Sequence, residues 1–382
     1  MKPRICLVVS SPFTLNAFLG RHLEALSREY RVTVIANLED ESIAPQVPAG
    51  CDLRSVRIKR EVSIGHDLAA LWHLWRLFLR TDFASVHSVS PKAGLLAMLA
   101  ARAAGVPLRL HTFTGQVWAT RGGVMRTFLK TLDRVLAACA TQVFSDSRSQ
   151  CDFLVSQGVV RTDKIAVLGA GSISGVDTTR FRPDLTARAR VRAELRIDAQ
   201  SPLLLYVGRM KREKGIAELL QAFRRLRTSL PATHLLLVGP DEDRLFAQPG
   251  ANDDAHVHVV GYTTQVERYM AAATLLCLPS HREGFGSVII EAAACGVPAV
   301  ASRIYGLTDA LIDGETGVLH TAGDSVSLHD AVFQLLSQPP VLLRMAHAAR
   351  ERALRDFDVK AITGAWVEYY RRNVAGGSAA AA

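Results

Sequence analysis

The chain has 382 residues, a hydrophobic fraction of 49% and a formal net charge of +9. This length predicts two or three domains with real apolar cores, and no apolar run approaches the ~20 residues that a membrane-spanning helix needs. The start, MKPRICLVVSSPF, predicts a strand and not a signal peptide, because its apolar run is short. The six scattered cysteines form no C-x-x-C pair, which favours free thiols in a reducing cytoplasm over disulfides or zinc.

The basic residues are concentrated in the first half of the chain. Residues 1–180 contain 22 Lys and Arg against 14 Asp and Glu, whereas the remainder is nearly balanced. This excess predicts an anionic partner for the first half. The stretch RGGVMRTFLKTLDRVLAACA carries Arg126, Lys130 and Arg134 at four-residue intervals, and HDLAALWHLWRLFLR is also basic and apolar. Such helices can lie on an anionic bilayer surface or pack on their own domain, and both interpretations stay open. We expect no nucleic-acid partner.

Short apolar runs with strand character alternate with helical patterns along the whole chain. In the first half these runs are RICLVVS, YRVTVIA, ASVHSV, LRLHTF, TQVFSDS and IAVLGA. In the second half they are LLLYVG, THLLLVG, VHVVGY, LLCLPS, VPAVAS and TGVLH. Repeated β-α units predict an α/β protein with two doubly wound, Rossmann-like domains. We place the domains at residues 1–177 and 178–355, a last helix at 356–374 and a disordered, low-complexity tail at 375–382.

Two polar segments of the first half follow strands. LRLHTF contains His111 and runs into Thr114 and Gly115. Farther on, GAGSISG superficially matches a dinucleotide-binding fingerprint. A true fingerprint opens directly into a helix, and the following VDTTRFRP does not resemble a first helical turn. We therefore interpret this segment as the connection between the two domains.

The second half contains a basic loop between a strand and a helix. SPLLLYVGRMKREKGIAELLQAF predicts a buried strand, a turn at Gly208, a loop with Arg209 and Lys214, and an amphipathic helix. Both cations fall at the carboxyl end of the strand, where open α/β sheets bind ligands. Asp241-Glu242-Asp243 follows the next strand, and we interpret it as a solvated acidic turn. His256 and His258 alternate about a strand without a third ligand nearby, which argues against zinc.

The segment Glu283-Gly-Phe-Gly-Ser-Val-Ile-Ile-Glu291 is the most informative of the chain. It lies between the strand LLCLPS and an alanine-rich stretch that turns at GVPAV, so the order is strand, turn and helix. A helix N-terminus after such a turn offers unpaired N–H groups to a phosphate. The two glutamates suit hydrogen bonds from hydroxyl groups. Together these features indicate a sugar nucleotide.

EGFG with GVPAV, the basic segment GRMKREKG and Gly175-Val-Asp177 resemble motifs of the retaining family-4 glycosyltransferases, which have the GT-B fold. The resemblance covers essentially the whole chain up to the tail and is strongest between Leu203 and Val300. It implies two Rossmann-like domains with the cleft between them. HTFTGQVW and GSISGVD resemble members that build bacterial surface polysaccharides on polyprenyl-diphosphate carriers.

The resemblance also implies roles for particular residues. Arg209, Lys214 and the turn backbone would hold the donor diphosphate, while Glu283 would orient the sugar hydroxyls and Glu291 the ribose hydroxyls. His111 or Thr114, where relatives often have a second histidine, would lie beside the donor sugar. The expected nucleotide-binding residues are Gly208, Arg209, Lys214, Gly261, Tyr262, Glu283, Gly284, Phe285, Gly286 and Glu291.

The implied reaction is retaining transfer from a nucleotide sugar, expected to be UDP-linked, without a metal or other cofactor. The expected acceptor is a lipid-linked sugar, and the expected location is the inner face of the cytoplasmic membrane. Transfer to a soluble acceptor, a UDP-sugar 2-epimerase of the same fold and an inactive binding protein are the alternatives. The epimerase would need carboxylates and histidines around the sugar, and the first half shows no such cluster.

Overall fold

The computed structural model describes residues 2–39, 44–58, 63–246 and 254–374. The described residues form two compact units. Among these, unit 1 draws on the residues up to 175 and on residues 359–374, and unit 2 on those from 176 to 358. The chain therefore enters unit 2 two residues before the predicted division and leaves it three residues after residue 355. The tail at 375–382, predicted to be disordered, lies outside the described residues.

Unit 1 contains, in its described part, a parallel sheet of seven strands in the order β3-β2-β1-β4-β5-β6-β7. The strands are β1 (Arg4–Val8), β2 (Arg31–Ala36), β3 (Cys51–Ser55), β4 (Ser85–Val89), β5 (Leu108–Phe113), β6 (Gln142–Ser145) and β7 (Ile165–Val167). The strand order reverses between β1 and β4. The strand β3 was not predicted; it lies at the edge of the sheet, and three of its five residues are exposed.

Six helices of unit 1 precede the crossing into unit 2 in the described residues. They are α1 (Pro12–Phe18), α2 (Gly20–Ser27), α3 (Ile64–Arg80), α4 (Pro91–Ala103), α5 (Gly123–Cys139) and α6 (Arg148–Ser156). α4 is largely buried, and both α3 and α5 pack against it. After β7 no helix forms until residue 185, so the glycine-rich segment does not have the strand–helix geometry of a dinucleotide fingerprint.

Unit 2 has a parallel sheet whose six described strands follow the order β10-β9-β8-β11-β12-β13. They are β8 (Leu203–Val207), β9 (His234–Val238), β10 (Val257–Val260), β11 (Leu275–Leu278), β12 (Ala299–Ser302) and β13 (Gly317–His320). All six match the predicted runs. Its helices are α7 (Leu185–Glu194), α8 (Ile216–Ser229), α9 (Val266–Ala272), α10 (Ser287–Ala294), α11 (Leu307–Ala310), α12 (Ser325–Leu336) and α13 (Pro339–Asp356). The strand order reverses between β8 and β11.

The last helix, α14 (Val359–Val374), returns to unit 1. Its apolar face enters the same core cluster as β1, β2 and α2. The ring of Trp366 stacks on the imidazoles of His22 and His87, with ring centroids 4.4 and 4.7 Å apart. Tyr370 places its hydroxyl 2.9 Å from His87 Nδ1. Unit 1 is therefore completed by the end of the chain.

Candidate active site

The candidate site of unit 2 is built on the two loops at the reversal of strand order. One loop follows β8 from Gly208 to Gly215, and the other follows β11 from Pro279 to Gly286. Gly215 has a φ of 72°, and a Cβ at this position would lie 2.1 Å from the Pro279 carbonyl oxygen. The two loops can therefore touch only because residue 215 is glycine. Open parallel sheets bind ligands beyond the carboxyl ends of their strands at such a reversal.

A short ion pair joins these two loops. Lys214 Nζ lies 2.6 Å from Glu283 Oε1, and Ser280 donates its hydroxyl to the same oxygen at 2.9 Å. Both charged side chains are more than four-fifths buried, so solvent screens their attraction less than it screens a surface pair. The structure thus brings together two predicted site residues 69 positions apart. Ser280 was not predicted, although its place three residues before Glu283 could have suggested it.

The loop after β8 is also tied to the acidic turn. Glu242 Oε2 lies 2.6 Å from Lys211 Nζ and 3.5 Å from Arg209 Nη1. Residues 241–243 form the largely exposed acidic turn that the sequence predicted, but Glu242 also contacts these two cations. The glutamate acts as a counter-ion within the candidate site, and pattern reading missed it because the contact joins two separate loops.

The second loop ends in the helix that the sequence predicted. Gly286 adopts a left-handed φ of 78°, and α10 begins at the next residue. A Cβ on Gly286 would lie 2.4 Å from a methyl group of Leu307, so this turn requires glycine. The side chain of Phe285 is buried and packs against Phe357, with ring centroids 5.3 Å apart. Consequently, Phe285 can offer a ligand only its backbone.

Glu291 lies in the second turn of α10, in a different environment from Glu283. Burial raises the pKa of its carboxyl group to about 7, although the nearby positive charge of Arg180 lowers it. Arg180 pairs with Glu267 at 2.7 Å and donates to the carbonyl oxygen of Thr264. Glu283 therefore contacts Lys214 and Ser280, whereas the cation that acts on Glu291 is Arg180.

Gly261 and Tyr262 directly follow the edge strand β10. Both residues are exposed, and β10 is separated from β8 by β9. The hydrogen bond from Arg180 to Thr264 fastens the loop two residues farther on. The loop that carries the two predicted base-binding residues is therefore tied to Arg180, the cation that acts on Glu291.

The unit 1 candidates differ in accessibility. His111 is fully buried, and its Nδ1 lies 2.9 Å from Ser88 Oγ. Burial lowers the pKa of this imidazole to about 3. A Cβ on Gly94 would lie only 2.5 Å from the ring, so α4 covers it closely. This environment argues against direct contact between His111 and a substrate. Thr114, which directly follows β5, is partly exposed.

Sequence reasoning missed a buried carboxyl group near Thr114. Asp146 directly follows β6, and the β5–β6 register pairs Phe113 with Ser145, so the two residues lie at the same level. Asp146 Oδ1 has no hydrogen-bond partner among the described residues, and burial raises the pKa of this carboxyl group to about 8. Its position between two serines after a strand was the available signal.

Residues 2–39, 44–58, 63–246 and 254–374 contain no group of three His, Cys, Asp or Glu side chains that could hold a metal ion. In the same ranges, every helix is too short or too polar to span a bilayer.

Comparisons with known proteins agree with this architecture. Residues 15–171 match the glycosyl transferase 4-like domain, and residues 187–352 match glycosyl transferases group 1. The capsular polysaccharide biosynthesis glycosyltransferase CapM of Staphylococcus aureus is 28% identical over 315 residues, covering 80% of this chain and 81% of CapM. The D-inositol 3-phosphate glycosyltransferase of Segniliparus rotundus is 30% identical over 309 residues, covering 77% and 67%.

Solved structures show the same fold at lower identity. Sucrose-phosphate synthase from Thermosynechococcus elongatus has a TM-score of 0.79 at 21% identity, covering 98% of this chain and 100% of that one. Anabaena HepE in complex with UDP-glucose has a TM-score of 0.76 at 19% identity, covering 97% and 99%. From the domain matches and the relatives that span most of its length, the chain belongs to the family-4 glycosyltransferases with the GT-B fold.

Proposed function

We propose that this glycosyltransferase transfers a sugar from a UDP-linked donor to an acceptor hydroxyl with retention of anomeric configuration. The observation that carries the proposal is the cluster of Arg209, Lys214 and Glu283 beside the N-terminus of α10, at the reversal of strand order in unit 2. Cations and free N–H groups suit a diphosphate, while a carboxylate suits sugar hydroxyls. The HepE complex with UDP-glucose supports a UDP-linked donor.

In this proposal Arg209, Lys214 and the backbone of Gly284–Gly286 bind the diphosphate. Glu283 accepts hydrogen bonds from the sugar hydroxyls, and Ser280 holds its carboxylate in place. Glu291 accepts from the ribose hydroxyls. The base lies near Gly261 and Tyr262, whose exposed ring is free to stack.

The bond-making step needs stabilisation of the departing diphosphate. We propose front-face displacement, in which the acceptor oxygen forms the new glycosidic bond as the old one breaks. The departing diphosphate oxygen takes the acceptor proton. Arg209 and Lys214 stabilise the negative charge that develops on that oxygen, so the proposed reaction uses no metal or other cofactor. In unit 1, Thr114 is the candidate for contact with the donor sugar, and His111 is a packed group behind it.

We further propose a lipid-linked sugar as acceptor, with the enzyme bound peripherally to the inner face of the cytoplasmic membrane. Two helices that pack on α4 carry exposed apolar side chains. These are Leu68, Trp72, Trp75 and Leu79 on α3, and Val124, Met125 and Phe128 on α5. The basic excess of the first half would attract anionic lipid, and the likeness to CapM supports a surface-polysaccharide role.

The three cations of α5 that the sequence suggested for membrane binding are engaged in hydrogen bonds within the protein. Arg126 and Lys130 both donate to Gln157 Oε1, at 3.0 and 3.2 Å. Arg134 donates to the carbonyl oxygen of Gly158. The exposed apolar side chains therefore carry the membrane proposal more than these cations do. A soluble acceptor is the second candidate, because one relative of similar length is a D-inositol 3-phosphate glycosyltransferase.

The donor assignment is tested by replacing Arg209 or Lys214 with Ala. Losing a contact to transition-state charge should lower turnover by about a hundredfold or more. Arg209 is about one-third exposed, so its variant should keep the fold. Lys214→Ala leaves the buried carboxylate of Glu283 without its cation, so circular dichroism has to accompany its assay. UDP-glucose, UDP-N-acetylglucosamine and the GDP-linked sugars should first be compared by thermal shift, since a ligand of the native state raises its apparent stability. Turnover close to wild type in both variants would refute the role of Arg209 and Lys214 in binding the diphosphate. A product whose anomeric configuration, read by proton NMR, is opposite to that of the donor would refute retention.

The membrane assignment is tested by sedimentation with anionic liposomes. Replacing Trp72 and Phe128 with Ser should weaken binding strongly, because each ring contributes buried apolar area at the bilayer interface. Transfer to a short, water-soluble acceptor analogue should be unchanged. The matched control replaces Phe333, an exposed ring on α12 of unit 2, with Ser. If the wild-type enzyme ignores anionic liposomes at low salt, a soluble acceptor is the correct alternative.

A further inference from the structure

The acidic turn after β9 is folded by its two aspartates. The carboxylate of Asp241 accepts the backbone N–H groups of Leu245 and Phe246, both at 2.8 Å. Asp243 Oδ2 accepts the N–H of Arg212 at 2.8 Å and so fastens the turn to the basic loop. Thus the aspartates shape and anchor the turn, while Glu242 between them contacts the cations.

Backbone contacts also fix where Glu242 lies. The N–H of Met210 donates to the Pro240 carbonyl oxygen at 2.8 Å, which continues the β8–β9 pairing beyond both strands. One step earlier, a Cβ on Gly239 would lie 2.0 Å from the Gly208 carbonyl oxygen, so these two chains run in direct contact. The backbone therefore brings residue 242 within reach of the side chains of Arg209 and Lys211.

We propose that Glu242 is an internal counter-ion that competes with every anion for Arg209: it weakens the binding of free phosphate and of a nucleotide diphosphate by the same factor, so that only an anion with further contacts stays bound. This inference rests on the proposed role of Arg209. Without Glu242, the unpaired charges of Arg209 and Lys211 would attract any small anion. A nucleotide diphosphate displaces the glutamate because it also reaches Lys214, the N-terminus of α10 and the base and ribose contacts. Free phosphate has none of those additional contacts.

The size of the effect follows from the exposure of the pair. The side chains of Arg209, Lys211 and Glu242 are each about one-third exposed, so water and salt screen their attraction. An ion pair of this kind corresponds to a factor of up to about five in a binding constant. We expect the factor to shrink as salt is added.

The test compares Glu242→Gln with Glu351→Gln, which makes the same charge change at an exposed site on α13. Calorimetry at low ionic strength should show UDP binding up to about fivefold tighter in Glu242→Gln. Inorganic phosphate, measured alone, should also bind up to about fivefold tighter in that variant, because the same counter-ion has been removed for both ligands. Glu351→Gln should match the wild type in both measurements, and circular dichroism confirms that both variants are folded.

Arg209→Ala separates failure of this proposal from failure of the proposed function. If Arg209→Ala weakens UDP binding while Glu242→Gln behaves like Glu351→Gln, only the counter-ion role is overturned. Weaker UDP binding by folded Glu242→Gln also overturns it, because Glu242 would then assist the nucleotide. If Arg209→Ala leaves UDP affinity unchanged, the proposed binding of the donor diphosphate by Arg209 is itself wrong.

Discussion

The protonation of Glu291 links stability to nucleotide binding at the scale of one residue. Its pKa is raised to about 7 by burial, whereas an unfolded chain holds a glutamate near 4.3. The folded state therefore binds the proton more tightly. The stabilisation this provides is complete below the unfolded pKa and is lost as pH rises through about 7. At pH 8 the native protein carries a buried charge that opposes folding.

We predict that Glu291→Gln raises stability and lowers donor affinity at the same time. The gain in melting temperature over wild type should grow between pH 5 and pH 8, because only the wild type must ionise a buried carboxyl group. Differential scanning fluorimetry across this range gives the measurement. A difference that does not change with pH would contradict the raised pKa.

A second prediction concerns UDP-glucose affinity, because the diphosphate diester of this ligand does not titrate near neutrality. If the ionised Glu291 accepts the ribose hydroxyls, the wild-type dissociation constant should rise about tenfold from pH 8 to pH 6. The Glu291→Gln variant should bind weakly at both pH values.

Glu283→Gln should instead reduce turnover while UDP affinity is retained. UDP affinity that responds to Glu283 and not to Glu291 would reverse the two assignments.

The individual site residues were easier to predict than their partners. Glycine turns, cations at a strand end and a helix opening after EGFG are local patterns, so Gly208, Lys214, Glu283 and Gly286 could be located by position. The pairing of Lys214 with Glu283 and the contact of Glu242 with Arg209 span 69 and 33 positions. Only the assembled sheet brings such groups together. The burial of His111 could not be predicted from the sequence either, because it depends on the close packing of α4 against the imidazole at Gly94.

Secondary-structure elements that are buried on both faces were the most predictable. The two central strands of unit 2, β8 (LLLYV) and β11 (LLCL), are continuous apolar runs, as expected for parallel strands covered by helices. The missed strand β3 reads CDLRS and lies at the sheet edge with most of its side chains exposed. An edge strand gains less from apolar burial, so its sequence resembles a loop. Its pairing with β2 holds it in place.

The interaction of α14 with unit 1 leads to a prediction for an element. Trp366 is buried between two imidazoles, and Trp366→Ala should cost about 3–5 kcal/mol of unfolding free energy. Arg372→Ala, on the exposed side of the same helix, should cost less than about 0.5 kcal/mol. Because all four tryptophans belong to unit 1, fluorescence of the remaining ones during urea titration reports this unit specifically. Equal midpoints for the two variants would contradict a core role for α14.

The packing of Trp366 on His22 should make the contact between α14 and the rest of unit 1 sensitive to acid. Burial lowers the pKa of its imidazole to about 4, well below the value of about 6.5 in an unfolded chain. The unfolded state therefore binds more protons between these values. The stability contributed by neutral His22 is present above pH 6.5 and is lost as pH falls towards 4. In His22→Gln the urea midpoint of unit 1 should fall less steeply over this interval, and an unchanged slope would contradict the assignment.

At the scale of the whole molecule, the two units differ in how the chain builds them. Unit 2 is one continuous segment, residues 176–358, whereas unit 1 needs both ends of the chain. The proposed nucleotide-binding residues Arg209, Lys214, Glu283 and Glu291 all belong to the continuous unit. Folding of unit 2 should therefore not require α14, while folding of unit 1 should.

We accordingly predict that a fragment of residues 176–358 folds and binds UDP, without catalysing transfer. A fragment of residues 1–175 should remain unstable, because it lacks Ile362, Trp366 and Tyr370 from its core. Joining residues 359–374 to it through a flexible linker should restore a cooperative transition, since buried apolar area is regained. Circular dichroism and UDP calorimetry provide the measurements. If the 1–175 fragment unfolds as cooperatively without α14 as with it, the conclusion that unit 1 requires α14 for folding is wrong. The placement of the nucleotide site in unit 2 fails if the folded 176–358 fragment does not bind UDP.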